Sequence, residues 1–62
     1  MDELQVVRTD ARVEELRWGC DRLAGALDAR DWLAARTYAN HVKNLGRSLE
    51  RTLEIAVVSR AE

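Results

Sequence analysis

Two side chains of the sequence have the chemistry of a catalytic pair or of metal ligands. Cys20 is the only cysteine among the 62 residues, and His41 is the only histidine. A cysteine and a histidine can catalyse covalent reactions when they meet within hydrogen-bonding distance. However, Cys20 falls in a line of apolar residues at helical spacing, which predicts a buried thiol that acts as a small hydrophobic group.

Other catalytic chemistry finds no support in the residue pattern. A structural zinc site normally requires four cysteine or histidine ligands, and the chain offers two. The sequence contains no glycine-rich phosphate loop and no nucleophile motif. We therefore expect a protein that is not an enzyme and that uses no metal or cofactor.

Trp18 is the residue with the clearest potential for binding. On a helix it shares a stripe with Leu4, Ala11 and Gly25, opposite the main apolar line of the same segment. It could pack within a homo-oligomer, where Ala11 and Gly25 leave room for an approaching helix. It could instead anchor a different protein, because tryptophan is enriched at interface centres. A simply exposed side chain is the third interpretation.

Three glycines fall inside segments with helical periodicity. Each of Gly19, Gly25 and Gly46 costs roughly 1 kcal/mol relative to alanine in a helix. These costs predict close helix packing or a binding groove. The alternative, for any one glycine, is that the protein tolerates the cost and the residue has no special role.

A row of basic side chains on the second half of the chain could follow a phosphate backbone. Residues 30–62 carry a net charge of +2, whereas residues 1–29 carry −3. Glu50 and Glu54 flank the row and no aromatic residue accompanies it, which favours a solvated face over RNA binding. The residues of this face are Arg36, Lys43, Arg47 and Arg51.

The elements that position these residues are two predicted helices. The first should cover about residues 2–29, and its apolar seam recurs in steps of three and four. The second should cover about residues 32–60, with a similar seam and a parallel stripe of Trp32, Ala39, Gly46 and Leu53. The first seam is Val6, Thr9, Val13, Leu16, Cys20, Leu23 and Leu27, and the second is Ala35, Tyr38, Val42, Leu45, Leu49, Thr52 and Ala56.

The break between the helices lies at residues 27–32. Asp31 is a suitable N-cap for the second helix, because its carboxylate can accept hydrogen bonds from free amides. A connection this short makes the helices antiparallel neighbours and places Leu16 near Val42 and Val13 near Leu45. One continuous helix is the rival structure.

The open end of such a hairpin has more apolar residues than two helices can cover. Leu4, Val6 and Val7 would meet the segment 53–58, where Ile55 and Val58 point away from the seam. Such an excess usually marks an interface. A subunit interface is favoured over a membrane surface, because the flanking charges are mixed.

Size and composition complete the prediction. A chain of 62 residues without a disulfide or metal is marginally stable alone, so we expect a homodimer that forms a four-helix bundle. The unpaired cysteine, with no signal-peptide pattern and no long apolar run, predicts a cytoplasmic protein without a membrane span. The net charge of −1 excludes a strongly basic nucleic-acid wrapper. Nine arginines to one lysine suggest a GC-rich bacterial or phage genome.

The predicted function is protein–protein interaction, as an adaptor, regulator or inhibitor whose partner the sequence does not identify. The alternative is an RNA- or DNA-binding regulator that uses the basic face of the second helix. The predicted interface residues are Leu4, Ala11, Trp18, Gly25, Trp32, Gly46, Ile55 and Val58.

Overall fold

The fold is a hairpin of two long helices. The computed structural model describes the backbone of residues 2–61 and the side chains of residues 2–59. Helix α1 spans Glu3–Asp28 and helix α2 spans Trp32–Ala61, and the two pack against each other. No strand occurs within residues 2–61. The predicted all-helical, antiparallel hairpin is confirmed.

The beginning of α1 is fixed by a capping box. The Asp2 carboxylate accepts a hydrogen bond from the backbone amide of Gln5 at 2.8 Å. In return, Oε1 of Gln5 accepts from the backbone amide of Asp2 at 3.2 Å. These bonds satisfy two of the amides that a helix leaves free at its N-terminus. The negative charge of Asp2 also lies at the positive end of the helix dipole.

The turn between the helices is a Schellman motif. The amide of Arg30 donates to the carbonyl of Leu27 at 3.1 Å, and the amide of Asp31 donates to the carbonyl of Ala26 at 2.9 Å. Arg30 occupies the left-handed region with φ of 57°, a position that usually holds glycine. Asp31 then caps α2 as predicted, since its carboxylate accepts from the amide of Ala34 at 3.1 Å.

The predicted seam of α2 is the face that packs against α1. All seven of its residues are buried or half-buried, and Ala35 and Leu49 are the most deeply covered. The periodicity was sufficient here because the middle of the seam (Tyr38, Val42, Leu45 and Leu49) is an unbroken line of large apolar side chains at helical spacing. The parallel stripe behaves differently, since Trp32, Ala39 and Leu53 remain exposed.

The predicted seam of α1 is wrong in part, because the helix is rotated about its own axis. Val6, Cys20 and Leu27 are exposed, and the prediction of a buried thiol at Cys20 is overturned. Gly19 and Ala26 are buried instead. The α1 residues that α2 covers fully or partly are Thr9, Val13, Leu16, Gly19, Leu23 and Ala26.

The physical reason for the rotation is the close approach of the helices at Gly19. A Cβ atom at Gly19 would lie 3.0 Å from Cγ2 of Val42 and 3.3 Å from Cδ2 of His41. The missing side chain therefore lets α2 approach the backbone of α1 at this point. Val42 was predicted to lie near Leu16, but it lies against Gly19, about one turn further along α1.

The hairpin has little core. Of the described side chains, the buried hydrophobic residues are Ala26, Ala35 and Leu49, and none is completely inaccessible to solvent. The Cα radius of gyration is 14.4 Å, against about 11 Å for a compact chain of this length. The molecule measures 48 × 17 × 12 Å, so it is a single layer of two helices.

Neither described helix has the length and apolar composition needed to cross a membrane.

Candidate interaction surfaces

The two edges of the α1–α2 contact differ in how they are filled. We call one the aromatic edge, which is formed by Glu15, Trp18, Arg22, Tyr38 and His41. We call the other the apolar groove. It is lined by Leu16, Gly46, Leu49, Glu50, Leu53, Glu54, Val57 and Val58.

Trp18 lies on the aromatic edge, so the prediction that it faces away from the hairpin contact is wrong. Its ring meets Tyr38 edge to face, with centroids 5.9 Å apart and an interplanar angle of 78°. A second edge-to-face contact joins it to His41, with centroids 6.1 Å apart. The rotation of α1 at Gly19 brings Trp18 round to α2. About half of its surface, 48%, stays exposed.

Trp18 also accepts a cation on its ring. The guanidinium carbon of Arg22 lies 5.3 Å from the ring centroid. Cation–π contacts at exposed sites contribute about 0.5–1 kcal/mol, and aromatic pairs contribute a similar amount beyond the burial of area. Trp18 therefore contributes to the stability of the hairpin itself, which the sequence did not reveal.

His41 is held against the same edge with one nitrogen unsatisfied. Its Nε2 atom is inaccessible to solvent and has no hydrogen-bond partner among the described residues. The nearest acidic atom, Oε1 of Glu15, lies at 3.7 Å, which is too long for a hydrogen bond but within range of an ion pair. The carboxylate itself is more than half exposed, so water screens this contact.

Cys20 and His41 do not form a catalytic pair. Cys20 is exposed, and its helical position is almost opposite that of Trp18, against which His41 packs. Among the described residues, no group of three or more histidine, cysteine, aspartate or glutamate side chains could hold a metal ion.

The apolar groove is an unfilled concavity among the described residues, with a volume of about 690 Å³. Leucine and valine side chains form its walls, and Gly46 opens its floor, since a Cβ there would have no atom within 4 Å. Leu53 and Val57 are 49% and 67% exposed. The groove therefore leaves apolar surface in water that the hairpin cannot cover by itself.

The structure spreads the predicted interface residues over several surfaces. Gly46 and Val58 line the apolar groove, whereas Trp18 belongs to the aromatic edge. The sequence did not single out Leu49 and Val57 as interface residues, although their spacing from Gly46 was the available signal. The remaining predicted residues, all exposed, are Leu4, Ala11, Gly25, Trp32 and Ile55.

The four predicted basic residues of α2 are exposed, and acidic residues share part of their surface. Arg47 and Arg51 border a shallow depression with Arg12, whose guanidinium donates to Oγ of Ser48. Arg36 and Lys43 are also exposed. None of the four predicted nucleic-acid residues makes an ion pair with another described side chain.

Comparisons with known proteins give no relative: no family model matches the chain, and neither a curated protein nor a solved structure is significantly similar to it.

Proposed function

We propose that the chain is a small, non-catalytic protein–protein interaction module that works as a helical homodimer, a four-helix bundle. The observation that carries this proposal is the amount of apolar surface left in water. Eleven large hydrophobic side chains are exposed among the described residues, against three buried hydrophobic residues. A monomeric soluble protein rarely exposes apolar surface on this scale, and such surface usually marks an interface.

The exposed area supports association quantitatively. The hairpin exposes 5163 Å², whereas a compact monomer of this size exposes about 4,100 Å². The excess of about 1,100 Å² per chain exceeds the ~800 Å² that each partner contributes to a typical stable interface. Covering this excess would return the chain to the surface area of an ordinary folded protein.

The proposal is tested by measuring mass and stability together. Sedimentation equilibrium should give the mass of a dimer, and the melting temperature should rise with protein concentration because association stabilises the folded state. A melting temperature that does not change with concentration, together with a monomer mass, would contradict the homodimer.

Nucleic-acid binding is the competing function, and one observation favours it: the described basic side chains of α2 make no ion pair with another described side chain. Binding to RNA or DNA would weaken steeply as salt is added, with a slope near the number of phosphates neutralised. We expect no such binding at physiological salt, because Glu50 and Glu54 interrupt the positive surface. A fluorescence anisotropy titration with a labelled oligonucleotide at two salt concentrations distinguishes the functions.

A further inference from the structure

A stripe of four charged side chains runs along the outer side of α2, and its second half, Glu50 and Glu54, borders the apolar groove. Lys43, Arg47, Glu50 and Glu54 follow one another at steps of four, three and four, which keeps them on one side of the helix. All four are exposed, and none pairs with another described side chain. Glu50 and Glu54 themselves form part of the groove lining.

The order of charges in this stripe is self-complementary in one orientation only. Along α2 the stripe has two positive residues followed by two negative ones. In an antiparallel pair of identical helices, the same stripe of each helix faces its copy in reverse order. Lys43 then lies opposite Glu54 of the second copy, and Arg47 lies opposite its Glu50. A parallel pair would instead place each charge beside an identical charge, which is destabilising.

The same register places Gly46 of each copy within about two residues of Leu49 of the other copy, at the centre of the contact. Antiparallel pairing of Lys43 with Glu54 centres the twofold axis between residues 48 and 49. Gly46 then lies less than one turn of helix from the axis, where the two backbones approach most closely. Ala39 lies opposite Val58 of the second copy, so a small residue faces a large one.

We infer that the apolar groove is filled by α2 of a second copy of this chain, which lies antiparallel to the first and is aligned by the charged stripe. The inference rests on the proposed homodimer and adds the face, the direction and the register of the contact. Paired charges at the border of a helical seam set partner choice and orientation in the same way in coiled coils. The excess exposed area of the chain is enough for such an interface.

Charge reversal tests the inference directly. Lys43→Glu with Arg47→Glu makes the stripe wholly acidic, and Glu50→Lys with Glu54→Lys makes it wholly basic. Each double variant opposes like charges across the twofold axis, where every pair occurs twice. Exposed ion pairs are individually weak, so the combined reversal is expected to raise the dissociation constant at least about tenfold at low salt. An equimolar mixture of the two variants should recover dimers, as heterodimers with every charge paired.

Sedimentation and circular dichroism on the full chain distinguish the outcomes. If a dissociated variant loses helix, mixing must restore both the helical signal and the dimer mass. The matched control is Arg8→Glu with Arg17→Glu, which makes the same charge change at two exposed positions of α1 that do not line the groove. This control should leave the dimer mass unchanged. At 1 M salt the difference between the variants and wild type should shrink, because charges at that ionic strength are screened beyond about 3 Å.

Three results would overturn the inference, and only the last of them would also contradict the proposed homodimer. Charge variants that dimerise as tightly as wild type would place the subunit contact on another face, while the proposed homodimer would stand. Failure of the mixture to recover dimers would show that the stripes do not face each other. A wild-type chain that stays monomeric at all concentrations would instead contradict the proposed homodimer as well.

Discussion

The aromatic edge and the apolar groove are the two borders of the same helix–helix contact, yet side chains cover them to different extents. On the aromatic edge, Trp18 reaches across to Tyr38 and His41 and covers the junction between the helices. On the groove, Gly46 leaves a gap, and Leu53 and Val57 remain largely in water. The chain therefore completes its own packing on one side and leaves apolar surface uncovered on the other.

The comparison explains why large aromatic and small residues fall where they do. A side chain as large as Trp18 can close an edge from one helix alone, because its rings span the distance to the neighbouring helix. A glycine such as Gly46 does the opposite, since it brings the backbone to the surface and allows another helix to approach. We expect substitutions on the two edges to affect different measurements: the stability of the hairpin on one side and association on the other.

The largest expected effect lies between the two edges, at Leu49. This residue is 7% exposed and is the largest of the buried hydrophobic side chains. Leu49→Ala should reduce the free energy of unfolding by roughly 2–5 kcal/mol, the range for truncation in a core. Urea denaturation followed by circular dichroism measures the loss.

Leu33→Ala is the matched control for that measurement, because Leu33 is on the same helix and is 75% exposed. It should change the free energy of unfolding by less than about 0.5 kcal/mol. Equal losses at Leu33 and Leu49 would contradict the assignment of the α2 seam.

Trp18→Ala should be next in size and should act on the hairpin. The variant loses two aromatic contacts and the Arg22 contact. It also loses the burial of about half of the tryptophan's surface. We expect the free energy of unfolding to fall by about 1.5–3 kcal/mol, less than for a fully buried aromatic residue. A thermal melt at high protein concentration, where dissociation is suppressed, measures this loss.

Trp32→Ala provides the comparison, since Trp32 is 63% exposed and belongs to the stripe of Gly46 and Leu53. A Trp18→Ala variant with an unchanged melting temperature would break the distinction between the edges. It would return Trp18 to the role of a side chain that only a partner covers.

Replacing the helical glycines by alanine should change the free energy of unfolding by smaller amounts, and these changes also distinguish the two edges. Alanine at Gly25 meets nothing within 4 Å, so Gly25→Ala should stabilise the chain by about 0.5–1 kcal/mol. Gly19→Ala should give no such gain, because the new Cβ would lie 3.0 Å from Cγ2 of Val42 and the packing of α2 would have to shift. Denaturation at several protein concentrations gives these values.

Gly46→Ala separates folding from association. The hairpin alone has room for the added methyl group, so the helix gains stability as at Gly25. A second helix seated in the groove would have to move away, so the dimer should weaken. A Gly46→Ala variant that dimerises more tightly than wild type would contradict close approach at this residue.

The smallest expected effect is at the turn. Arg30 occupies a left-handed conformation that costs a non-glycine residue about 1–2 kcal/mol. Arg30→Gly removes that cost but loses the hydrogen bond that the Arg30 guanidinium donates to the carbonyl of Leu27. Glycine also raises the chain entropy of the unfolded state. The net stabilisation should be at most about 1 kcal/mol, seen as a rise in the denaturation midpoint. A fall in the midpoint would mean that the arginine side chain holds the turn.

Much of the fold could be predicted because its signals are carried by side chains. The α2 seam repeats large apolar residues, and Asp31 marks the beginning of α2. The rotation of α1 could not be predicted in the same way, because it depends on Gly19 and Ala26, which contribute little apolar surface to a periodic pattern. The apolar pattern instead predicted that Cys20 is buried, but its thiol is exposed.

The candidate surfaces were predicted less completely than the helices. Gly46 and Val58 were recognised as interface residues, but their relation to Leu16 across the groove depends on how the helices are rotated. The left-handed conformation in the turn could not be predicted either, because the residue there is Arg30 and not the glycine that usually indicates it. Local sequence therefore determines the elements, while the fit between them determines the surfaces.

The tight turn at Arg30 also determines the order in which the hairpin can form. A contact near the turn, such as Trp18 with Tyr38, closes a shorter loop than Arg12 with Ser48, which are 36 residues apart. The entropy lost on closing a loop increases with its length, so the first contacts cost least near Arg30. We expect the helices to join next at positions progressively closer to their free ends, because each new contact shortens the loop left for the next.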